Sequence, residues 1–113
     1  MESESKYEEA LTMYLDALSY MPRHYNLRKA IGRLYRLSGD NEKSIEIFKQ
    51  LLLPDPRSGE LNLEIAKTYY ADGKRKKALG HLETSLDVWK NADATYKPAI
   101  EAQTKWNKWN LLN

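Results

Sequence analysis

Histidine is the residue type in this sequence most often used for metal binding or acid–base catalysis, and there are two. His24 and His81 lie far apart in the chain and in different local contexts. A metal site needs three or four converging ligands, but the sequence has no suitably spaced cluster of Asp, Glu and His, and no Cys. A glycine-rich phosphate loop and a serine nucleophile motif are missing too. We therefore expect no enzymatic activity, no metal or other cofactor, and no small-molecule substrate.

Two basic stretches are the other candidates for a functional role. The first comprises Arg23, Arg28, Lys29, Arg33 and Arg36, with no acidic residue between them. Lys29, Arg33 and Arg36 are spaced by four and three residues, which places them on one face of a helix. The second stretch, residues 74–77, opens a helix, where positive charge opposes the helix dipole. Nucleic-acid binding is the least favoured function, because acidic residues interrupt any continuous basic stripe. These residues are Glu60, Glu64, Glu83 and Asp87.

Length and composition limit the class of protein. With 113 residues, the chain is expected to form one domain over residues 1–113. The net charge of +2 favours no particular charged partner. No apolar run approaches the roughly 20 residues that cross a bilayer, and the acidic start is unlike a signal peptide. We expect a cytoplasmic location without membrane insertion; a periplasmic domain cut from a longer precursor would also fit.

The sequence repeats at a period of 34 residues without insertions. In the first half of the repeat the matched pairs are Leu27 and Leu61, Ile31 and Ile65, Gly32 and Ala66, Tyr35 and Tyr69, and Gly39 and Gly73. In the second half Ser44, Ile45, Phe48 and Leu52 match Ala78, Leu79, Leu82 and Leu86. An earlier partial copy matches Ala10, Leu11, Tyr14 and Leu18 to the same positions. Spacings of three and four residues predict helices rather than strands.

Each full copy predicts two helices joined by a short turn. The predicted organisation is a half repeat at 3–21, repeats at 24–56 and 58–90, and a capping helix at 93–110. The six predicted helices cover about 3–21, 24–37, 42–53, 58–71, 75–90 and 93–110. Gly39 suits a left-handed residue after a helix end, and Pro54 ends the next helix. Short loops imply antiparallel neighbours, so we predict an all-α fold of antiparallel helix pairs.

The repeated residues resemble the tetratricopeptide repeat family. In that family a large and a small residue stand together in the first helix, an aromatic follows three residues later, and a small residue and an aromatic recur in the second. This chain supplies Ile31, Gly32, Tyr35, Ser44, Phe48 and Pro56 in one repeat, and Ile65, Ala66, Tyr69, Ala78 and Leu82 in the next. Lys90 replaces the closing proline. The resemblance implies a right-handed superhelix with a concave groove and a function in protein–protein interaction.

The same resemblance implies which residues line the groove. They are Asn26, Lys29, Arg33 and Arg36 from the first repeat, Leu63, Glu64, Lys67 and Tyr70 from the second, and Lys97 and Glu101 from the capping helix. A groove with basic residues at one end and mixed charge beyond suits an acidic or C-terminal peptide. The alternative interpretation is a solvated helix face whose charges pair with Glu60 and Glu64.

The two ends of the array are a second candidate surface. Tyr7 lies on the first helix, which has no first-helix partner within its own half repeat, while Trp106 and Trp109 lie on the capping helix. Trp109 is expected either to cap the last repeat or to contact another chain. Self-association through these ends is therefore an alternative function, as an oligomerisation or regulatory segment of a larger protein.

Overall fold

The described part of the chain consists of helices. The structure, a computed structural model, describes residues 2–111, with side chains from residue 6 onward. These residues form six helices and no strand. The helices are α1 (Glu2–Tyr20), α2 (Tyr25–Leu37), α3 (Asn41–Leu52), α4 (Gly59–Ala71), α5 (Arg75–Val88) and α6 (Lys97–Asn110). The predictions of an all-α fold and of six helices are confirmed.

The chain divides into two compact units, and the boundary lies within α3. The first extends to Leu51 and contains α1, α2 and most of α3; the second begins at Leu52 and contains α4, α5 and α6. Within the first unit α1 packs against α2, and within the second α5 packs against both α4 and α6. The single domain over residues 1–113 stays a prediction.

Side chains that bind free backbone N–H groups mark the starts of α2, α3 and α4. The His24 Nδ1 accepts a hydrogen bond from the Leu27 N–H at 3.1 Å. The Ser58 hydroxyl accepts one from the Leu61 N–H at 3.2 Å. Asp40 accepts one from the Lys43 N–H at 3.2 Å. The predicted first residues of α2 and α4 are thus their N-caps, because a cap satisfies a donor that the first turn leaves unpaired.

The turns after α2 and α4 use glycine in the predicted way. Gly39 has φ of 95° and Gly73 has φ of 78°. The Asp40 and Lys74 N–H groups then reach back to the Tyr35 and Tyr69 carbonyls, each at 2.8 Å. Positive φ suits glycine because it lacks a Cβ. The two turns are therefore copies of each other, 34 residues apart.

The connection between α5 and α6 is longer than the sequence predicts. Helix α5 ends at Val88 rather than Lys90, and α6 begins at Lys97 rather than about Asp93. Asp93 Oδ1 accepts hydrogen bonds from the Thr95 N–H at 2.8 Å and its hydroxyl at 2.6 Å. This local turn competes with helix. Pro98 then lies in the first turn of α6, where its fixed φ is favourable.

A glycine–phenylalanine contact lies at the centre of the first unit. Ile31 and Phe48 are completely buried, and Leu27 is nearly so. A Cβ at Gly32 would lie 2.7 Å from the Phe48 Cζ, well inside van der Waals contact. The missing side chain at Gly32 is therefore what lets the Phe48 ring pack against α2.

A second glycine contact joins α4 and α5 in the second unit. A Cβ at Gly59 would lie 2.5 Å from the Trp89 ring. The Ser85 hydroxyl, fully buried, donates to the Gly59 carbonyl at 2.8 Å. The surrounding core includes Leu61, Ile65, Ala66, Tyr69, Ala78, Leu82 and Ala102. Both units thus use a glycine of one helix to admit a ring from the next helix or from the residue directly after it.

Candidate functional site

The basic face of α2 is partly accessible. Lys29, Arg33 and Arg36 are each half-buried, and Asn26 in the first turn is exposed. The Lys29 Nζ lies 5.2 Å from the centroid of the Tyr25 ring, within range of a cation–π interaction. No Asp or Glu occurs in α2, so the helix carries only positive side-chain charge.

Charged residues of α4 and α6 form a connected chain in the second unit. The Lys67 Nζ lies 3.4 Å from Glu64 Oε1 and 2.8 Å from Glu101 Oε2. Lys105 Nζ lies 3.6 Å from the same oxygen of Glu101. Glu64 is only 4% exposed, so its carboxylate has a nearby cation where an unpaired charge would be costly. Three residues of the predicted groove, Glu64, Lys67 and Glu101, therefore meet.

The remaining predicted groove residues of the second unit have different surroundings. Leu63 is buried in the core, and Lys97 is exposed at the start of α6. Tyr70 stacks on Trp109 with ring centroids 4.1 Å apart and an interplanar angle of 8°. The stacked pair covers the end of α4 with a residue from the end of α6.

Trp109 is an interior residue of the second unit. Its side chain is 4% exposed. Besides Tyr70, it has the Lys105 Nζ 5.9 Å from its ring centroid, and its carbonyl accepts a hydrogen bond from Arg75 Nη1 at 3.3 Å. Of the alternatives for this residue, its surroundings are those of a cap on α4.

The other predicted end residues are more accessible. Tyr7 of α1 and Trp106 of α6 are both half-buried. Trp106 lines an open hollow of about 290 Å³ together with Asn107, Asn110 and Leu111. As an interaction surface, the ends of the array stay a prediction.

Both histidines take part in structural hydrogen bonds. His24 caps α2, as described. His81 Nδ1 lies 2.9 Å from Asn62 Oδ1, and the amide nitrogen of Asn62 donates to the Pro56 and Ser58 carbonyls at 3.0 and 2.8 Å. This arrangement requires His81 to donate through Nδ1. Over residues 2–111, no group of three His, Cys, Asp or Glu is arranged to hold a metal ion.

The second basic stretch is engaged within its own unit. Lys74 Nζ lies 3.3 Å from Asp72 Oδ2, and Arg75 bonds the Trp109 carbonyl. Lys77 Nζ lies 5.5 Å from the Tyr69 ring centroid. These contacts explain how cations can stand at a helix start, where they oppose the dipole.

The sequence did not predict the Glu64–Lys67–Glu101–Lys105 chain or the Asn62–His81 bond. The only available signal for the first was the spacing of Glu64 and Lys67 by three residues and of Glu101 and Lys105 by four. The pairing between α4 and α6 needs the tertiary fold. Among the described helices, none has the length and apolar character needed to cross a membrane.

Comparison with known proteins gives two kinds of match. A family model described as "Tetratricopeptide repeat" matches residues 3–60, just over half of the chain. The photosystem I assembly protein Ycf3 of Cyanophora paradoxa is 28% identical over 102 residues, and that of Rippkaea orientalis is 29% identical over 103. Each alignment covers 88% of this chain and 59% of the relative. The chain thus spans about three fifths of the length of the curated relatives it matches.

Proposed function

Because the chain belongs to the tetratricopeptide repeat family, we propose that it is a protein-interaction module that holds an acidic peptide segment of a partner protein. The proposed contact is the face of α2 that carries Lys29, Arg33 and Arg36, while Lys67, Tyr70, Lys97 and Glu101 of the second unit stay predicted contact residues. The proposed partner is a polypeptide, and the proposed role is recognition without catalysis.

The charge of α2 is the observation that carries the proposal. Four cations and no acid occur over its 13 residues. Three of the four share one half-buried face, which leaves part of each side chain accessible to a ligand. Arginine forms paired hydrogen bonds with carboxylates, and such charge-assisted bonds are about twice as strong as neutral ones. An acidic side chain or a terminal carboxylate is the ligand that this face favours.

The charges of the second unit do not favour an acidic ligand. Glu64, Lys67, Glu101 and Lys105 lie close enough to neutralise one another. Since an added carboxylate there would meet Glu101 as well as Lys67, we expect any ligand of α4 and α6 to be uncharged or of mixed charge. The acidic peptide is therefore expected at α2.

The names of the relatives support a role in assembling a protein complex. Both are photosystem I assembly proteins, and the similarity extends over most of this chain. We infer that the partner of this chain is a subunit or assembly intermediate of a protein complex. The relatives are longer than this chain, so a role of this chain in assembling a complex is part of this proposal only.

The proposal is tested by peptide binding. A panel of fluorescent 10–12-residue peptides, matched in composition but with acidic residues at the C-terminal end, the centre or nowhere, is titrated with the chain. We expect saturable binding that requires acidic residues. The double variant Lys29→Glu plus Arg33→Glu should lose it, since each change replaces attraction with repulsion.

A matched variant separates recognition from net charge. Lys74→Glu plus Lys76→Glu changes the overall charge equally at the second basic stretch. This variant should bind as the parent does. Equal loss in both double variants, or equal binding of acidic and neutral peptides, would contradict the proposed function.

A further inference from the structure

The outward face of α1 carries exposed apolar side chains. Met13 is 73% exposed and Tyr20 80%, and Tyr14 and Met21 are also exposed. Ala10 and Ala17 lie between them, spaced by seven residues and half-buried. We define the α1 face as Ala10, Met13, Tyr14, Ala17, Tyr20 and Met21.

The same face is covered in the two later copies of the repeat. The 34-residue period aligns α1 with α3 and α5. Ala10, Tyr14 and Ala17 correspond to Ser44, Phe48 and Leu51, and then to Ala78, Leu82 and Ser85. All six of these later residues are buried, with at most 5% exposure. Elsewhere in this chain, the pattern of small and large residues found on α1 is thus covered by another helix.

In each unit these buried residues are covered by the preceding helix, which is α2 for α3 and α4 for α5. In the first unit Gly32 of α2 lies against Phe48. In the second, Gly59 of α4 lies under Trp89, the equivalent of Met21. His81, the equivalent of Met13, bonds Asn62 of α4. This face therefore takes a helix whose closest residues are small, because only Gly or Ala lets the backbones approach.

The charges beside the α1 face indicate the charge of its occupant. Arg28 Nη2 of α2 lies 3.4 Å from Gln50 Oε1 of α3, and the equivalent of Gln50 in α1 is Asp16. Lys43 Nζ lies 5.6 Å from the Tyr35 ring, and the equivalent of Lys43 is Glu9. A helix covering α1 would meet carboxylates at both places. Opposite charge is favourable there, so its flank should be basic.

We propose that the α1 face binds a basic amphipathic helix supplied by another polypeptide. That helix carries Gly or Ala at the place that Gly32 takes over Phe48, and Lys or Arg at the places of Arg28 and Tyr35. It lies on α1 as α2 lies on α3 and as α4 lies on α5. This surface is separate from the acidic-peptide site, and the inference does not depend on that function.

A second copy of the chain is a poorer occupant than a different polypeptide. Helices α2 and α4 already cover the helices that follow them. Helix α6 has Ile100 at the position equivalent to Gly32 and Ala66. A side chain of that size prevents the close approach that the α1 face requires. Residues 2–111 therefore hold no spare helix of the right kind.

The test uses a helical peptide as the probe. It has the sequence of residues 24–38 with Tyr35→Lys, and a side-chain cross-link on its outer face keeps it helical so that folding cost does not mask binding. We expect saturable binding to the chain by fluorescence anisotropy. The same peptide with Gly32→Leu should bind about tenfold more weakly, because of overpacking.

Variants of the chain place the binding on α1. Met13→Glu and Tyr20→Glu change exposed residues and should abolish binding, while Leu53→Glu, at a residue 77% exposed outside the face, should not. Lys29→Glu plus Arg33→Glu should keep helix binding even as acidic peptides are lost. The inference is overturned if the cross-linked peptide does not bind, if the glycine and leucine peptides bind equally, or if Met13→Glu has no effect. It is also overturned if sedimentation shows a dimer that Met13→Glu dissociates, since a second copy would then be the occupant.

Discussion

At the scale of single residues, the two repeats fill one position in different ways. The first places Gly32 against the Phe48 ring, and the second has Ala66 and Leu82 at the equivalent positions. All four residues are buried. A larger side chain on one helix is thus accompanied by a smaller one on the other, as expected for interiors packed near crystal density.

Gly32→Ala should destabilise the protein. The new Cβ would lie 2.7–3.0 Å from three atoms of a completely buried ring. Overpacking costs about 1–3 kcal/mol, and the better helix propensity of alanine offsets only about 1 kcal/mol of that. Urea denaturation followed by circular dichroism measures the change in the free energy of unfolding.

Two companion variants isolate the cause. Gly80→Ala lies in α5 with no atom within 4 Å of the new Cβ, so it should stabilise by about 1 kcal/mol. Adding Phe48→Leu to Gly32→Ala recreates the pair that the second repeat uses and should recover part of the loss. Equal effects of Gly32→Ala and Gly80→Ala would show that the contact with Phe48 is not tight.

Asp87 should titrate at lower pH than an ordinary aspartate. The Arg57 guanidinium donates to its carboxylate at 2.6 Å and, together with Lys90, lowers its pKa. A depressed folded pKa contributes stability above the unfolded value, and that stability is lost as the pH falls from about 4 through the folded value. In Arg57→Gln the Asp87 pKa should rise, as measured by ¹³C NMR titration of the carboxyl. An unchanged pKa would mean that the ion pair does not persist in solution.

At the scale of helices, local signals predicted most boundaries. The glycines Gly39 and Gly73 are readable in the sequence because each acts on its own backbone, whereas the capping bonds of His24 and Ser58 are findings of the structure. The start of α6 was predicted four residues too early. Asp93 resembles an N-cap in sequence, but it closes a short turn with Thr95 instead. Its pKa is lowered by the hydrogen bonds from that residue.

Trp109 should be essential to the packing of α6 on α4. Trp109→Ala removes a ring that is 4% exposed and stacked on Tyr70, so a loss of about 3–5 kcal/mol in the free energy of unfolding is expected. Trp106→Ala, at a half-buried ring, is the matched control and should cost much less. Chemical denaturation of both variants gives the comparison, and similar costs would place Trp109 outside the core.

At the scale of the molecule, the sequence predicted the fold class and the spacing of charged residues better than the contacts between helices. The spacing of four and three residues placed Lys29, Arg33 and Arg36 on one face of α2, because helical periodicity alone decides that. The burial of Leu63 and the pairing of Lys67 with Glu101 were not predictable. Both depend on neighbours distant in sequence.

Whole-molecule charge gives a prediction that separates protein partners from nucleic acid. The net charge is +2, and Lys67, Lys74 and Lys105 lie beside acids. Since duplex binding needs several unpaired cations along one track, a 20-base-pair DNA should not displace the acidic peptide at about 0.15 M salt. Competition anisotropy tests this. Displacement that declines steeply with added salt would favour a nucleic-acid function.

The Gly32–Phe48 pair also has an evolutionary consequence. Converting the glycine–phenylalanine pair of the first repeat into the alanine–leucine pair of the second requires two substitutions. Whichever substitution comes first, the intermediate is unfavourable. Alanine beside phenylalanine is overcrowded, while glycine beside leucine leaves a void. The two positions should therefore covary when descendants of this sequence diverge, and duplicated copies of the repeat should inherit one pairing or the other as a unit.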